Sequence, residues 1–259
     1  MIKKINNKLL NFFNSFSNLN KFKKIPKNDK EIVFYAESKA DWTFIKGFYE
    51  ELKLLGYKPI RVTSDKNDKI LEENLTFYIG SESALTIFFK TFNSKVMVMT
   101  LTDLNSFHIK RSIFPVHYFY IFHSMASIHR NYREKAFDSY DTIFCVGDHH
   151  VNEIRKREKI FNLKSKKLEL IGYSKLDNMI SKLNNIKKLK KNSKHSLRIL
   201  IAPSWGKSAI SIKNLKKIID YLLINNFFII LRLHPMTLKE NEDIKNIFNS
   251  NFFSNNNFY

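Results

Sequence analysis

The sequence predicts an α/β protein built on parallel, doubly wound sheets, and three observations predict it. Short apolar runs alternate with amphipathic helical stretches from Glu31 onward, and strands separated by helices pair in parallel. The aromatic run Tyr118 to Phe122 passes straight into the polar turn His123 to His129, the strand-to-helix switch at which open α/β sheets bind ligands. The chain has 259 residues, is 44% hydrophobic and carries 24 Phe, enough to fill the cores such sheets need.

The elements follow in order. Ile32 to Tyr35 is a strand, Asp41 to Leu55 a helix ended by Gly56, and Lys58 to Thr63 a second strand. Leu75 to Ile79 is a strand, Ser83 to Phe92 an apolar helix, and Lys95 to Met99 the strand before the aromatic one. A helix is expected from Arg130 through Tyr140, then a core strand at Thr142 to Val146, a helix at His149 to Glu158 and a strand at Leu168 to Ile171. His149 and His150, at the start of their helix, read as a surface feature. Residues 181–196 then break the pattern with six lysines and no acid, a linker or exposed helix between domains. A second α/β unit opens at Leu197 to Ala202, turns at Pro203 to Ser208, runs a helix from Ile212 to Asn225 and returns at Phe227 to Pro235. Met236 to Tyr259 supplies at most one further helix, so this unit reads as cut short against the five or six strands typical of its class. The domains are thus 1–30, a basic N-terminal segment; 31–180, a Rossmann-like domain; 181–196, the linker; and 197–259, an incomplete second Rossmann-like domain.

The net charge of +20 is unevenly spread. Thirteen of those charges lie in residues 1–30 and 181–196, and Lys, Asn, Ile and Phe are enriched throughout, so the total indicates a compositional bias rather than a nucleic-acid partner. Ile2, Ile5, Leu9, Phe12, Phe13 and Phe16 recur at helical spacing among lysines, a basic amphipathic helix. It is too short in apolar run to span a bilayer and has no signal-peptide cleavage site. Residues 1–24 are therefore expected to lie on an anionic membrane surface at its cytoplasmic face, the alternative being a helix packed on the domain. The single cysteine, Cys145, sits in a core strand and indicates a reducing compartment without disulfides.

Candidate chemistry concentrates at strand ends. His123 is placed as a base with a pKa near neutrality, with a structural histidine as the alternative. In Ser204, Trp205, Gly206, Lys207 and Ser208, a glycine lets backbone amides approach an anion and a lysine adds a point charge, although the turn is not a Walker motif. Arg232 and His234, alternating at a strand end, fall on one face where they can grip phosphate oxygens or be satisfied by carbonyls. No G-x-S-x-G elbow occurs, and His117, His123 and His129 have no carboxylate among them, so neither a serine hydrolase nor a metal site is expected, and no cofactor.

Six strings in series over residues 31–235 carry a resemblance: Leu101 to Leu104 with Phe107 to Ser112, Phe122 to Ser124, Ala136 to Asp141 with Val146-Gly147, Gly172 to Asp177, Ala202 to Trp205, and Arg232 to Pro235. In this order they resemble the CDP-glycerol glycerophosphotransferases of teichoic acid synthesis. The resemblance implies a GT-B architecture of two Rossmann-like domains, a CDP-polyol donor held mainly by the second, and an acceptor on the first. It implies His123 as general base on the acceptor hydroxyl, Lys110, Arg111, Ser124 and His129 as acceptor-side residues, and Ser204 to Lys207 with Arg232 and His234 as donor-phosphate ligands. The family usually has His-Gly where this chain has His123-Ser124. Its Asp-Ser-Ser-type donor motif should follow Arg-x-His-Pro by several tens of residues, and the chain ends first, as in a C-terminally truncated member. The implied function is transfer of glycerol phosphate, or a similar polyol phosphate, from a CDP-activated donor to a cell-surface glycan or lipid-linked acceptor. The alternatives are a GT-B glycosyltransferase using a nucleotide sugar and a non-catalytic membrane-surface or nucleotide-binding module.

Overall fold

The strand β1 (Ile32–Ala36) alternates in the way a sheet covered on both faces requires: Val33 and Tyr35 enter one core, Phe34 and Ala36 the other, and all four are buried. We describe a computed structural model over residues 2–68, 71, 75–107, 109–185, 197–206, 209–240, 243–252, 255 and 258, with side chains omitted at 2–8, 184, 185, 245 and 249–251. The chain divides into two units, Met1–Asn185 and Ile186–Tyr259.

In the first unit β1 is joined by β2 (Ile60–Thr63), β3 (Thr76–Tyr78), β4 (Val96–Met99), β5 (His117–Ile121), β6 (Thr142–Cys145) and β7 (Lys167–Leu170). All pair in parallel, in the order β3-β2-β1-β4-β5-β6-β7. The first six positions follow the doubly wound Rossmann order, in which the winding reverses between β1 and β4. Val33 of β1 sits in register between Ile60 of β2 and Met97 of β4, a line of buried side chains across that reversal.

Helix α1 (Ile2–Lys24) and helix α3 (Glu82–Thr91) cover one face, and α2 (Lys39–Leu54) the other. Ser38 caps α2 by accepting from the Asp41 N–H at 3.4 Å, and Ser81 caps α3 by accepting from that of Ala84 at 3.3 Å. From α2, Trp42, Ile45 and Tyr49 fill the core at helical spacing. Of the two expectations for the N-terminal helix, the packed one holds for its C-terminal half. Leu19 and Phe22 are buried, Phe22 against the rings of Phe77, Phe88 and Phe92, and Ser15 Oγ accepts the N–H groups of Gly80 and Ser81 at 3.1 and 3.0 Å. Leu9, Leu10, Phe12 and Phe13 stay exposed. No helix among the described residues is long and apolar enough to cross a membrane.

The expected helix from Arg130 through Tyr140 is not there. Helix α4 spans only Ile128–Asn131, and residues 132–140 turn irregularly, with Lys135 at φ 70°. A left-handed residue breaks the helical ladder, and the consecutive turns let Tyr132 pack against the core while Ala136, Phe137 and Tyr140 are buried in it. Helix α5 (Asp148–Ile160) and helix α6 (Ser174–Asn185) complete the unit. Residues 181–185 of the expected linker end α6, and 186–196 lie outside the described residues.

In the second unit β8 (Arg198–Ile201) and β9 (Phe228–Leu231) pair in parallel around α7 (Ile212–Ile224). The tail forms two helices where one was expected, α8 (Pro235–Glu240) and α9 (Ile244–Phe252). Leu215 and Ile219 of α7, Ile229 of β9, and Ile244, Phe248 and Phe252 of α9 form its core, while Leu200 and Ile230 stay exposed.

Candidate functional site

His123 lies two residues past β5, where the chain leaves the sheet at the buried Phe122. Its imidazole stands edge-on to Phe44 of α2, centroids 6.2 Å apart, and to Tyr132 at 5.4 Å. Nδ1 is 3.3 Å from the Tyr120 hydroxyl, and the His123 carbonyl accepts a hydrogen bond from Tyr173, the residue before α6, at 3.0 Å. Burial pushes the His123 pKa below the usual 6.5, outweighing the Asp41 carboxylate and a hydrogen bond to the Thr100 backbone, which pull the other way. The ring is therefore neutral near pH 7 and has one nitrogen lone pair, the state a general base needs.

The loop after His123 is held by α5. The Met125 carbonyl is 2.9 Å from His149 Nε2, and the Ala126 carbonyl 3.0 Å from His150 Nε2. Glu153 accepts from the Ser127 hydroxyl at 2.7 Å and from the Ile128 N–H at 2.6 Å. This corrects the reading of the histidine pair as a surface feature: His149 is exposed, but His150 is fully buried. With the Val146 N–H 3.4 Å from its Nδ1, His150 is satisfied as the neutral Nε2–H tautomer. Burial holds its pKa down against the Ala126 hydrogen bond. For Glu153, burial alone would raise the pKa, and the hydrogen bonds from Ser127 and Ile128 outweigh it.

A pH dependence of stability follows. His123 and His150 have folded pKa values below their unfolded value of 6.5, so the unfolded chain takes up protons first as pH falls. Stability is expected to be flat above that value and to decline as pH drops through 6.5 towards the folded pKa values. Urea midpoints measured between pH 8 and 5 check this; a midpoint that rises on acidification would reverse the assignment.

The proposed acceptor-side residues do not gather around His123. Ser124 is adjacent, its Oγ accepting from the Ala126 N–H and Asn131 Nδ2, both at 3.2 Å. His129 is exposed and 3.5 Å from Glu153. Lys110 is exposed and donates to the Asn105 carbonyl at 3.3 Å. Arg111 is at the other end of the strands: it binds the carbonyls of Ser139 and Val116 and the Asp141 carboxylate, all just before β5 and β6 begin. Asp141 also accepts the Tyr118 N–H at 2.8 Å, so Arg111 ties strand starts together instead of facing the His123 end.

A cavity of about 570 Å³ opens where the chain leaves β1 and β4, the point at which the winding reverses. Glu37, Thr102, Asp103 and Asn131 line it, and so does Tyr132, the residue whose ring also faces His123.

In the second unit the loops after β8 and β9 meet. Trp205 stacks on His234, centroids 5.7 Å apart and planes 20° from parallel, and His234 Nδ1 accepts the Met236 N–H at 3.1 Å. Gly206 has φ 92°, a conformation that favours glycine. Ser204, Trp205, Gly206 and Arg232 are exposed at this loop end, and the Arg232 N–H is held by the Ile201 carbonyl at 2.9 Å. Lys207 and Ser208 lie outside the described residues. Among the described residues no group of three His, Cys, Asp or Glu side chains is placed to hold a metal ion.

Two solved structures share this architecture. The Methanocaldococcus jannaschii UDP-GlcNAc 2-epimerase, in complex with UDP-GlcNAc and UDP, superposes with a TM-score of 0.59 at 14% identity over 88% of this chain and 72% of its own. A variant of the wall teichoic acid polymerase TagF superposes at 0.51 with 12% identity over 92% of this chain and 66% of its own. The fold is GT-B-like. At such identities the likeness establishes the fold alone, and the chain spans about two thirds of the length of TagF. No protein-family model matches the chain, and no curated protein does.

Within this GT-B-like chain, sequence reasoning missed Glu37, Asp41, Asp103, Tyr120, Tyr132, His150 and Glu153. Glu37 and Asp103 carry a signal, since each closely follows a strand. Only the strand order shows that β1 and β4 are the neighbours flanking the reversal.

Proposed function

We propose that the chain belongs to a transferase that moves glycerol phosphate, or a similar polyol phosphate, from a CDP-activated donor to an acceptor hydroxyl. The observation that carries this reading is His123, a neutral imidazole at the carboxyl end of a parallel sheet in a GT-B-like fold. In this reaction the acceptor oxygen forms a bond to the donor's distal phosphorus, the bond from that phosphorus to CMP breaks, and the acceptor proton passes to His123. Arg232 and His234 are the proposed ligands of the donor phosphates, with Arg232 offsetting the charge that develops on CMP. The motif series of residues 101–235 supports this family over other GT-B enzymes. The TagF likeness and the UDP-GlcNAc held by the epimerase are compatible with a nucleotide-activated donor.

The test is CMP release from CDP-glycerol in the presence of glycan and lipid-linked acceptors. Release of a nucleoside diphosphate from a nucleotide sugar, without CMP release, would replace this reading with glycosyl transfer. Arg232→Ala is expected to weaken CDP-donor affinity by about 10- to 100-fold, the worth of a hydrogen bond to a charged group, with the melting temperature unchanged because the side chain is exposed. Unchanged affinity by calorimetry would return Arg232 to a structural role.

The reading also places the exposed Leu9, Leu10, Phe12 and Phe13 on an anionic membrane face. Co-sedimentation with phosphatidylglycerol vesicles should fall in a Leu10→Asp, Phe13→Asp variant; equal sedimentation would remove this surface from the interface.

A further inference from the structure

The cavity beside β1 and β4 has a rim with its own chemistry. A tight turn, closed by the Asn105 N–H to the Ile109 carbonyl at 2.9 Å and the Ile109 N–H to the Ser106 carbonyl at 3.1 Å, puts Phe107 at its tip. Phe107 is 70% exposed, lines the cavity and has φ 46°. Asp103 and Asn105 in the same loop are also left-handed, which their short polar side chains tolerate. A phenylalanine does not: an aromatic residue with positive φ is an outlier, and such outliers cluster where function holds them. Its solvent-exposed position gains nothing from burial.

The wall behind this ring is acidic and hydroxylated. Glu37 and Asp103 supply carboxylates, which accept hydrogen bonds and donate none, while Thr102 and Asn131 add short polar groups. The only cation among the described lining residues is Arg133, whose guanidinium lies 5.7 Å from the Phe107 ring. Two carboxylates against one arginine disfavour a polyanion and favour a ligand that donates hydroxyl protons. Arg133 lies over one side of the Phe107 ring, which is otherwise open to solvent and offers aromatic surface to a ligand with a flat C–H face. A neutral sugar ring meets both conditions; a phosphate chain meets neither.

We propose that this cavity is a sugar subsite, in which a neutral pyranose ring stacks on Phe107 and donates hydroxyl hydrogen bonds to Glu37 and Asp103. The volume of about 570 Å³ falls in the range of small-ligand sites and has room for a disaccharide. That the sugar is the acceptor in the proposed transfer rests on that reading, with Tyr132 linking the cavity wall to His123. Its binding does not.

The test is saturation-transfer NMR on the whole chain with no donor present, using N,N′-diacetylchitobiose, lactose and glycerol 3-phosphate as probes. Saturation of the ring C–H protons of at least one disaccharide is expected, with glycerol 3-phosphate weaker. Phe107→Ala should weaken disaccharide binding at least tenfold, Phe107→Trp should retain it, and Asp103→Asn should weaken it. Phe107→Gly should lose binding while its melting temperature stays or rises, since glycine accepts the positive φ. Absence of transfer to both disaccharides, tighter binding of glycerol 3-phosphate, or undiminished binding by Phe107→Ala overturns the proposal. Because no turnover is read, sugar binding without CMP release would leave the subsite standing and remove the transferase reading, and the converse result would do the opposite.

Discussion

Replacing His123 by alanine is expected to lower turnover by about 10²- to 10⁴-fold, the range a positioned general base contributes. In the proposed transfer the acceptor hydroxyl is a poor nucleophile until its proton leaves, and His123, whose pKa burial holds down, is the proposed group to take it at pH 7. The fold should survive. The side chain is half-buried, its contact with the Tyr120 hydroxyl is long at 3.3 Å, and the following loop is anchored through backbone groups by His149, His150 and Glu153. The variant should therefore melt within a few degrees of the parent and bind donor equally, with the loss in kcat rather than in donor KM. In the parent the rate should fall on acidification below 6.5, through the depressed pKa of His123, and this limb should vanish in the variant. Free imidazole added to the alanine variant should restore part of the rate. Parent-like turnover by His123→Ala would remove it as the base.

The largest stability effect is expected at a pair remote from this chemistry. Arg61 of β2 and Asp68 form an ion pair in which both side chains are fully buried, and the Arg61 guanidinium lies 3.8 Å from the centre of the Trp42 ring. Such a pair contributes little net stability while intact, because desolvation offsets the attraction. Removing one partner takes the paired carboxylate away from a guanidinium inside the core, and breaking a buried pair in this way costs about 3–5 kcal/mol. Against a typical total of about 5–15 kcal/mol this is a large fraction, and it corresponds to a drop in melting temperature on the order of 10 °C for Asp68→Ala. A double variant, Arg61→Leu with Asp68→Leu, should be less destabilised than Asp68→Ala alone, since no charge then stays buried. Calorimetry of the two variants decides it. An unchanged midpoint for Asp68→Ala would show that the other contacts of Arg61 make up for the lost carboxylate.

Much of the fold was legible because its signals are local. The runs at Ile32 to Tyr35, Tyr118 to Phe122 and Thr142 to Val146 are apolar over nearly every residue, which is what a sheet covered on both faces requires, and they became β1, β5 and β6. Helices α2, α3 and α7 begin after Ser38, Ser81 and Ser211, each of which accepts a hydrogen bond from the N–H three residues on. The segment from Tyr132 to Tyr140 was not legible. Its residues suit a helix, and the left-handed Lys135 that prevents one is imposed by the burial of Phe137 and Tyr140.

The candidate site divides in the same way. The sequence by itself determined that His123 ends an aromatic strand and that Trp205 and His234 end two others, because strand, turn and helix are decided by neighbours a few residues apart. It could not assign Arg111, whose partners Ser139 and Asp141 lie 28 and 30 residues away, nor His150, whose partner Ala126 lies 24 away. Tertiary structure alone decided that β1 and β4 are adjacent, and therefore that Glu37 and Asp103 face one cavity with Phe107 on its rim. Strand order is set by how seven short ribbons share two cores, a property of the whole packed sheet that no short stretch of residues encodes.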